Sequence, residues 1–225
     1  MLYINKALRF FETIEIKFLP FLRIKTLNSE KYFKIMQQLS ENVLVLNVGD
    51  QIPQPNNDSI IIYLAGTEDL NPANEMWQDK FSTAVVELSS STSSSAIPLF
   101  KRNWIIVNPI SMPQQNLAAN MSNPEFVQKM TWKHEMMSAA NCIFLNYKKK
   151  SVSPLPLYEL GLLINSGKLV VRCSEEYFQY GLVNFICTRH NVPLLPNRSN
   201  VKDILFSFFS LIPELQNNQK LQLPD

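Results

Sequence analysis

One carboxylate stands inside an otherwise apolar run at Ser153-Pro154-Leu155-Pro156-Leu157-Tyr158-Glu159-Leu160-Gly161. The run follows Cys142-Ile143-Phe144-Leu145, which reads as a buried strand. Burying an ionised carboxylate without a partner is costly or pushes its pKa upward, so Glu159 at the mouth of a parallel strand reads as a site residue. The other reading places it in the first turn of a helix, facing water and offsetting the helix dipole. Spacing alone leaves the two open. Elsewhere the chemistry is sparse. The two histidines, His134 and His190, lack HExxH spacing and have no cysteine at metal distance, so no metal or cofactor is expected. Glu135 either points inward as an acid or, the reading preferred here, lies on a solvated helix face. Glu68 and Asp69 argue against a phosphate beside them and for an uncharged sugar or nucleoside. Trp77 and Trp132, at helical spacing, read as core.

The elements that would position these residues alternate. Residues 59–65 form a β-branched run ending at Gly66-Thr67, and 72–89 carry a helical apolar pattern. A serine-rich loop over 89–95 leads to a strand at 104–107, stopped by Asn108-Pro109. After a long loop containing Pro113 come a helix over 124–140, a strand over 142–145 and a helix over 157–166 ended by Gly167. A strand at 169–171, a helix at 180–189, an edge strand at 192–195 and a closing helix at 201–211 complete the pattern. Such alternation predicts an α/β fold with a doubly wound parallel sheet of flavodoxin or Rossmann type. Ligands of such sheets bind beyond the carboxyl ends of the strands. That rule gathers Gly66, Thr67, Asn108, Pro109, residues 147–153, Cys173 and Ser174 around one mouth, with Glu159 beside it.

Composition supports one sizeable core, with 46% hydrophobic residues and five glycines in 225 residues. A formal charge of +2, with Lys and Arg scattered, does not favour nucleic acid or an anionic membrane as partner. The cluster Lys148-Lys149-Lys150 reads as a solvated turn. Cys142, Cys173 and Cys187 lie in apolar segments without CxxC spacing and read as reduced core thiols of a cytoplasmic protein. Glu12 and Glu15 interrupt the apolar N-terminal stretch, so neither a membrane span nor a targeting peptide is expected there.

Several segments together resemble the nucleoside 2-deoxyribosyltransferase-like family. They are Tyr63-Leu64-Ala65-Gly66-Thr67, Trp77-Gln78, Asn108-Pro109, the stretch 132–135 ahead of Ala140-Asn141, Ser153-Pro154, Tyr158-Glu159-Leu160-Gly161, Ser166-Gly167-Lys168, the strand at 170–173 and Gly181-Leu182-Val183. The likeness spans residues 58–200 or so. It implies that Glu159 attacks C1′ of a 2′-deoxyribosyl group, holds the sugar as an ester and passes it to another base, as a retaining glycosidase would. Tyr63 either orients the Glu159 carboxylate, as the resemblance implies, or is an ordinary strand aromatic. Asn141 stands where the transferases carry an Asp that binds and protonates the base, and an amide donates no proton. Ser153 stands where they carry a second Asp and where the related monophosphate hydrolases carry a phosphate-binding serine. Leu182 replaces a polar residue, and Ile110-Ser111 replace arginines. The resemblance therefore implies a transferase acting on a small nucleoside or nucleobase and a homo-oligomer, with a deoxynucleoside or deoxynucleotide hydrolase and a non-catalytic binder as alternatives.

The N-terminal 57 residues fall outside the likeness and read as an α+β extension. Strands are expected within 2–27, a capped helix at 29–40 and a strand at 43–48, with Pro53 and Pro55 in a linker. The extension either adds strands to the sheet edge or forms a separate unit. The expected organisation is extension 1–57, family-like domain 58–212 and polar tail 213–225.

Overall fold

The computed structural model describes residues 42–51, 59–68, 76–90, 102–110 and 120–212. The readings at 2–27 and 29–40, the linker prolines, most of the serine-rich loop, Pro113, Asp69, Ser111 and the tail lie outside them. Six strands form one parallel sheet: β1 (Val43–Leu46), β2 (Ser59–Gly66), β3 (Asn103–Val107), β4 (Cys142–Tyr147), β5 (Leu169–Cys173) and β6 (Leu194–Pro196). Their order is β1-β3-β2-β4-β5-β6. Among the described residues five helices alternate with them: α1 (Trp77–Ser90), α2 (Pro124–Ala139), α3 (Leu155–Leu163), α4 (Tyr180–Arg189) and α5 (Val201–Phe209). The doubly wound sheet read from the alternation is thus the fold, and β1 joins its edge by pairing with β3 from Val43↔Trp104 to Leu46↔Val107. The end of the N-terminal extension is therefore part of the same sheet.

The strands are apolar on both faces because helices cover both. On β2, Ile61, Tyr63 and Ala65 pack with residues of α2, α3 and α4, while Ile60, Ile62 and Leu64 pack with α1 and α5. Phe144 anchors the second layer. Phe81 stacks on it at 5.4 Å, and Trp77 meets it edge-on at 5.5 Å. Both Trp77 and Trp132 are buried core, with their indole N–H groups donated to the backbone carbonyls of Thr67 and Asp50. The thiols of Cys142, Cys173 and Cys187 are free and buried, and burial pushes each up, to about 12, 12 and 11. Among the described residues, no helix is long and apolar enough to cross a membrane, and no group of three or more His, Cys, Asp or Glu is placed to hold a metal.

Element ends differ from expectation in ways that matter for the site. β4 runs on to Tyr147 and β5 to Cys173, because both continue pairing, from Ile143↔Leu169 through Tyr147↔Cys173. The helix expected to start at 157 starts at Leu155, since Pro156 fits the first turn, where an N–H is not needed. It stops at Leu163, and Gly167 serves the following turn at φ +71°. Tyr147 then ties β4 to α3 by donating its hydroxyl to the Pro156 carbonyl at 2.7 Å. α5 is closed at its start by a capping box between Asn200 and Asp203. Because Phe144 bridges β4 to α1, Phe144→Ala should cost roughly 3–5 kcal/mol, read as a lowered denaturation midpoint.

Candidate active site

The order β3-β2-β4 contains a switch in winding direction. β2 leads into α1 on one face, and β4 leads into α3 on the other. At such a switch point ligands bind in the crevice beyond the carboxyl ends of the strands, here β2 and β4. Gly66 ends β2 at φ +119° and pairs with Asn146 on β4. A Cβ at Gly66 would collide with the Asn146 backbone, so only glycine fits. Thr67 continues the contact by donating its N–H to the Asn146 carbonyl at 2.9 Å, and its hydroxyl accepts the Lys148 N–H at 3.3 Å.

Glu159 enters this crevice from α3. Helix start at Leu155 puts it in the second turn, on the buried face with Pro156, Leu160 and Leu163, and it is 3% exposed. The reading as a solvated first-turn Glu is thereby ruled out. Its Oε2 accepts the Gly66 N–H at 2.8 Å. Burial pushes its pKa from 4.5 up to about 7; the Lys133 ammonium and the Gly66 N–H pull it down, and the Glu68 carboxylate pushes it up. The group is therefore poised to change protonation near neutrality, where carboxylates ordinarily do not.

Lys133 is the neighbour that residue spacing did not single out. It projects from α2 and is 5% exposed, and its ammonium is paired with Glu68. The signal was present: Lys133 falls next to Trp132 and ahead of Met136 and Met137, on a helix face that is buried. Glu68 is thus not a bare charge guarding the mouth, which removes the argument that it must repel a phosphate.

The remaining candidates fall into three groups. Tyr63 is fully buried on β2, with burial and the charges of Glu159 and Glu68 pushing its pKa well above 10.0, and its hydroxyl has no hydrogen-bond partner among the described residues. It does not bond Glu159; Gly66 does. Asn108 and Pro109 are buried at the end of β3, and the Asn108 side chain accepts the Ile110 N–H at 3.1 Å and reaches Asp79 at 3.4 Å. Ser153 is half-buried in the loop that enters α3, with its N–H on the Ser151 hydroxyl at 3.3 Å. Asn141 requires a correction. It precedes β4 at the amino end of the sheet, where its Oδ1 accepts the Ile61 N–H at 2.8 Å and its N–H donates to the Ile61 carbonyl at 2.9 Å. Ile61 lies five residues before Gly66 on β2, about 17 Å along an extended strand. Asn141 is a clasp on the sheet and stands outside the crevice.

Other residues take the quieter of their two readings. Glu135 is exposed, His190 is exposed and bonded to Asn165 at 3.0 Å, and His134 is half-buried with the Tyr158 hydroxyl at 3.4 Å. Lys148, Lys149 and Lys150 form a turn in which Lys150 has φ 60°. Leu182, which replaces a polar residue of the family pattern, is exposed on α4, whereas Ile110 is buried. Gly66→Ala should lose on the order of 1–3 kcal/mol of stability through backbone strain and raise the Glu159 pKa further by displacing its donor; a thermal melt and a carboxylate titration by NMR read the two effects.

No curated protein sequence matches the chain. The family model described as "Nucleoside 2-deoxyribosyltransferase like" matches residues 59–177. That span runs from the first residue of β2 through Gly66 and Glu159 into the turn after β5. More than half of the chain is covered, and the carboxylate in the crevice falls inside the match, so the chain belongs to the nucleoside 2-deoxyribosyltransferase-like family.

Proposed function

We propose that the protein cleaves the N-glycosidic bond of a 2′-deoxynucleoside by nucleophilic attack of Glu159 and passes the 2′-deoxyribosyl group to another base. The observation that carries this reading is the buried Glu159 carboxylate held by the Gly66 N–H in the crevice between β2 and β4. Family membership supports it. With Oε2 occupied, Oε1 is the attacking atom. The C1′–N bond breaks as the C1′–Oε1 bond forms, and the departing base takes the bonding pair. A second base then displaces Glu159 from the same carbon, restoring the original anomeric configuration. Desolvation keeps the carboxylate reactive, while Lys133 and the Gly66 N–H keep enough of it ionised near neutrality.

In this reading Gly66, Thr67 and Ser153 rim the sugar position, with Asn108 and Pro109 bordering it from β3 and Tyr63 packed beneath. Asn141 takes no part, so the proton for the leaving base comes from another group or from solvent. The free buried thiols fit a reducing, cytoplasmic setting. We also propose self-association. Tyr158 and Leu162 on α3 and Phe178, Leu182 and Phe185 on or beside α4 are large, apolar and 45–68% exposed, an arrangement that a second copy would cover. Light scattering should give at least a dimer, and a monomer at micromolar concentration would refute this.

Incubation with each 2′-deoxynucleoside, with and without a second free base, followed by mass spectrometry, tests the chemistry. A new deoxynucleoside or a deoxyribosyl adduct on the Glu159 peptide is expected. Base release without an acceptor would make the protein a hydrolase, and silence from folded protein would make it a binder. Glu159→Gln should abolish turnover and leave nucleoside affinity nearly unchanged.

The ionisation of Glu159 gives a pH prediction with a definite sign. Because the attacking form is the carboxylate, kcat/KM should rise with pH through about 7 and level off above it. Stability runs the other way. Between pH 4.5 and about 7 the unfolded chain has released a proton that the folded protein still holds. The contribution of this group is therefore full below pH 4.5 and lost as pH rises to about 7. Glu159→Gln, which cannot ionise, should gain about 3 kcal/mol relative to the parent on going from pH 4 to pH 8, checked by urea denaturation at both values.

A further inference from the structure

Arg172 has no part in the reaction above. It projects from β5 onto the sheet face covered by α1 and α5, the face opposite α3. Its Nε donates to Asn146 Oδ1 at 2.9 Å, its Nη1 donates to the Ser199 carbonyl at 3.1 Å, and the guanidinium lies 5.2 Å from the Phe144 ring centre. Those bonds use two of the five N–H donors of the fork. No carboxylate pairs with Arg172 among the described residues. Burial alone lowers its pKa, with no neighbouring anion to raise it. A desolvated cation without a counter-charge is an unfavourable arrangement that ordinary folds avoid. A second group beside it shares the deficit. Because the Asn146 Oδ1 accepts from Arg172, its amide Nδ2 occupies the other branch, where it is buried and has no hydrogen-bond partner among the described residues.

We propose that Arg172 and Asn146 form an oxyanion site at the carboxyl ends of β4 and β5, built to take a phosphate or carboxylate group. A water molecule satisfies an orphan amide but leaves the guanidinium charge uncompensated. An oxyanion answers both, since it accepts from the amide and from the unused edge of the planar fork. Arg172 keeps partial solvent access, which gives an anion its route. The position also fits. Asn146 pairs with Gly66 and accepts the Thr67 N–H, so the oxyanion site and the Glu159 anchor share one rung of the sheet from opposite faces. The site stands on these contacts and does not depend on Glu159 being a nucleophile.

Titrating the full chain with inorganic phosphate at constant ionic strength, followed by the thermal midpoint and by 31P line width, tests it. The parent should show a saturable rise in midpoint. Arg172→Met should weaken phosphate binding on the order of tenfold or more. Arg172→Lys, which keeps the charge and loses the fork, should bind more weakly than the parent and decides the matter if the Met variant does not fold. An unsaturable response in the parent, or equal binding by parent and variants, overturns the proposal. A second arm compares a 2′-deoxynucleoside with its 5′-monophosphate. Tighter binding of the monophosphate that disappears in the Arg172 variants identifies an oxyanion carried by the nucleotide, whereas equal binding of the two beside intact phosphate binding identifies a separate anionic ligand. Both arms read binding, so a protein without turnover at Glu159 still answers them.

Discussion

A carboxylate cannot be taken out of water without a donor to meet it, and here the donor comes from a distant part of the chain. The Gly66 N–H reaches Glu159 across 93 residues of sequence. Everything that makes this bond possible is a property of the sheet. β2 must end in a backbone conformation with positive φ, β4 must lie close enough that no Cβ fits between them, and α3 must start early enough to turn Glu159 inward. Tyr147 secures the last of these by fastening the end of β4 to the first turn of α3.

The alternation of apolar runs carried the fold because both faces of a parallel sheet are covered, so each strand appears as a continuous hydrophobic segment such as Ile60-Ile61-Ile62. The same reasoning picked out Glu159, the one charge in the run that enters α3. Two things escaped it. The sequence pattern puts the start of α3 at 157, two residues late, because a proline at the head of a helix resembles a break, and such a start leaves the burial of Glu159 open. Lys133 was invisible as a site residue because its relation to Glu68 and Glu159 exists only after α2 has crossed the sheet. Asn141 shows the opposite failure. A motif position that aligns with a chemical residue elsewhere is here used at the amino end of β4 to pair with Ile61, which no spacing within one strand reveals.

The carboxyl end of the sheet combines, on its two faces, groups that fold stability alone would not retain. Glu159 is desolvated, and among the described residues Tyr63 keeps a buried hydroxyl without a partner and the half-buried Arg172 has no counter-charge. Such deficits cluster where a surface is arranged for something other than its own folding. All three lie in β2, β5 or the helix between β4 and β5, inside the edge strands of the sheet, where the neighbouring apolar residues are buried.

The edge strands give the boundaries of the family match a different meaning. The matched segment ends at residue 177 and begins at residue 59, yet β1 lies before it, and α4, β6 and α5 lie after it. Val170 and Phe144 are covered by Ile204, Leu205 and Phe208 of α5, and β5 would lose its outer neighbour without β6. What inheritance has kept recognisable and what the chain must synthesise before it can close its core are therefore two different lengths. A fragment cut to the recognisable part would leave one face of the sheet stripped of half its cover and both outer strands open to pairing with other chains.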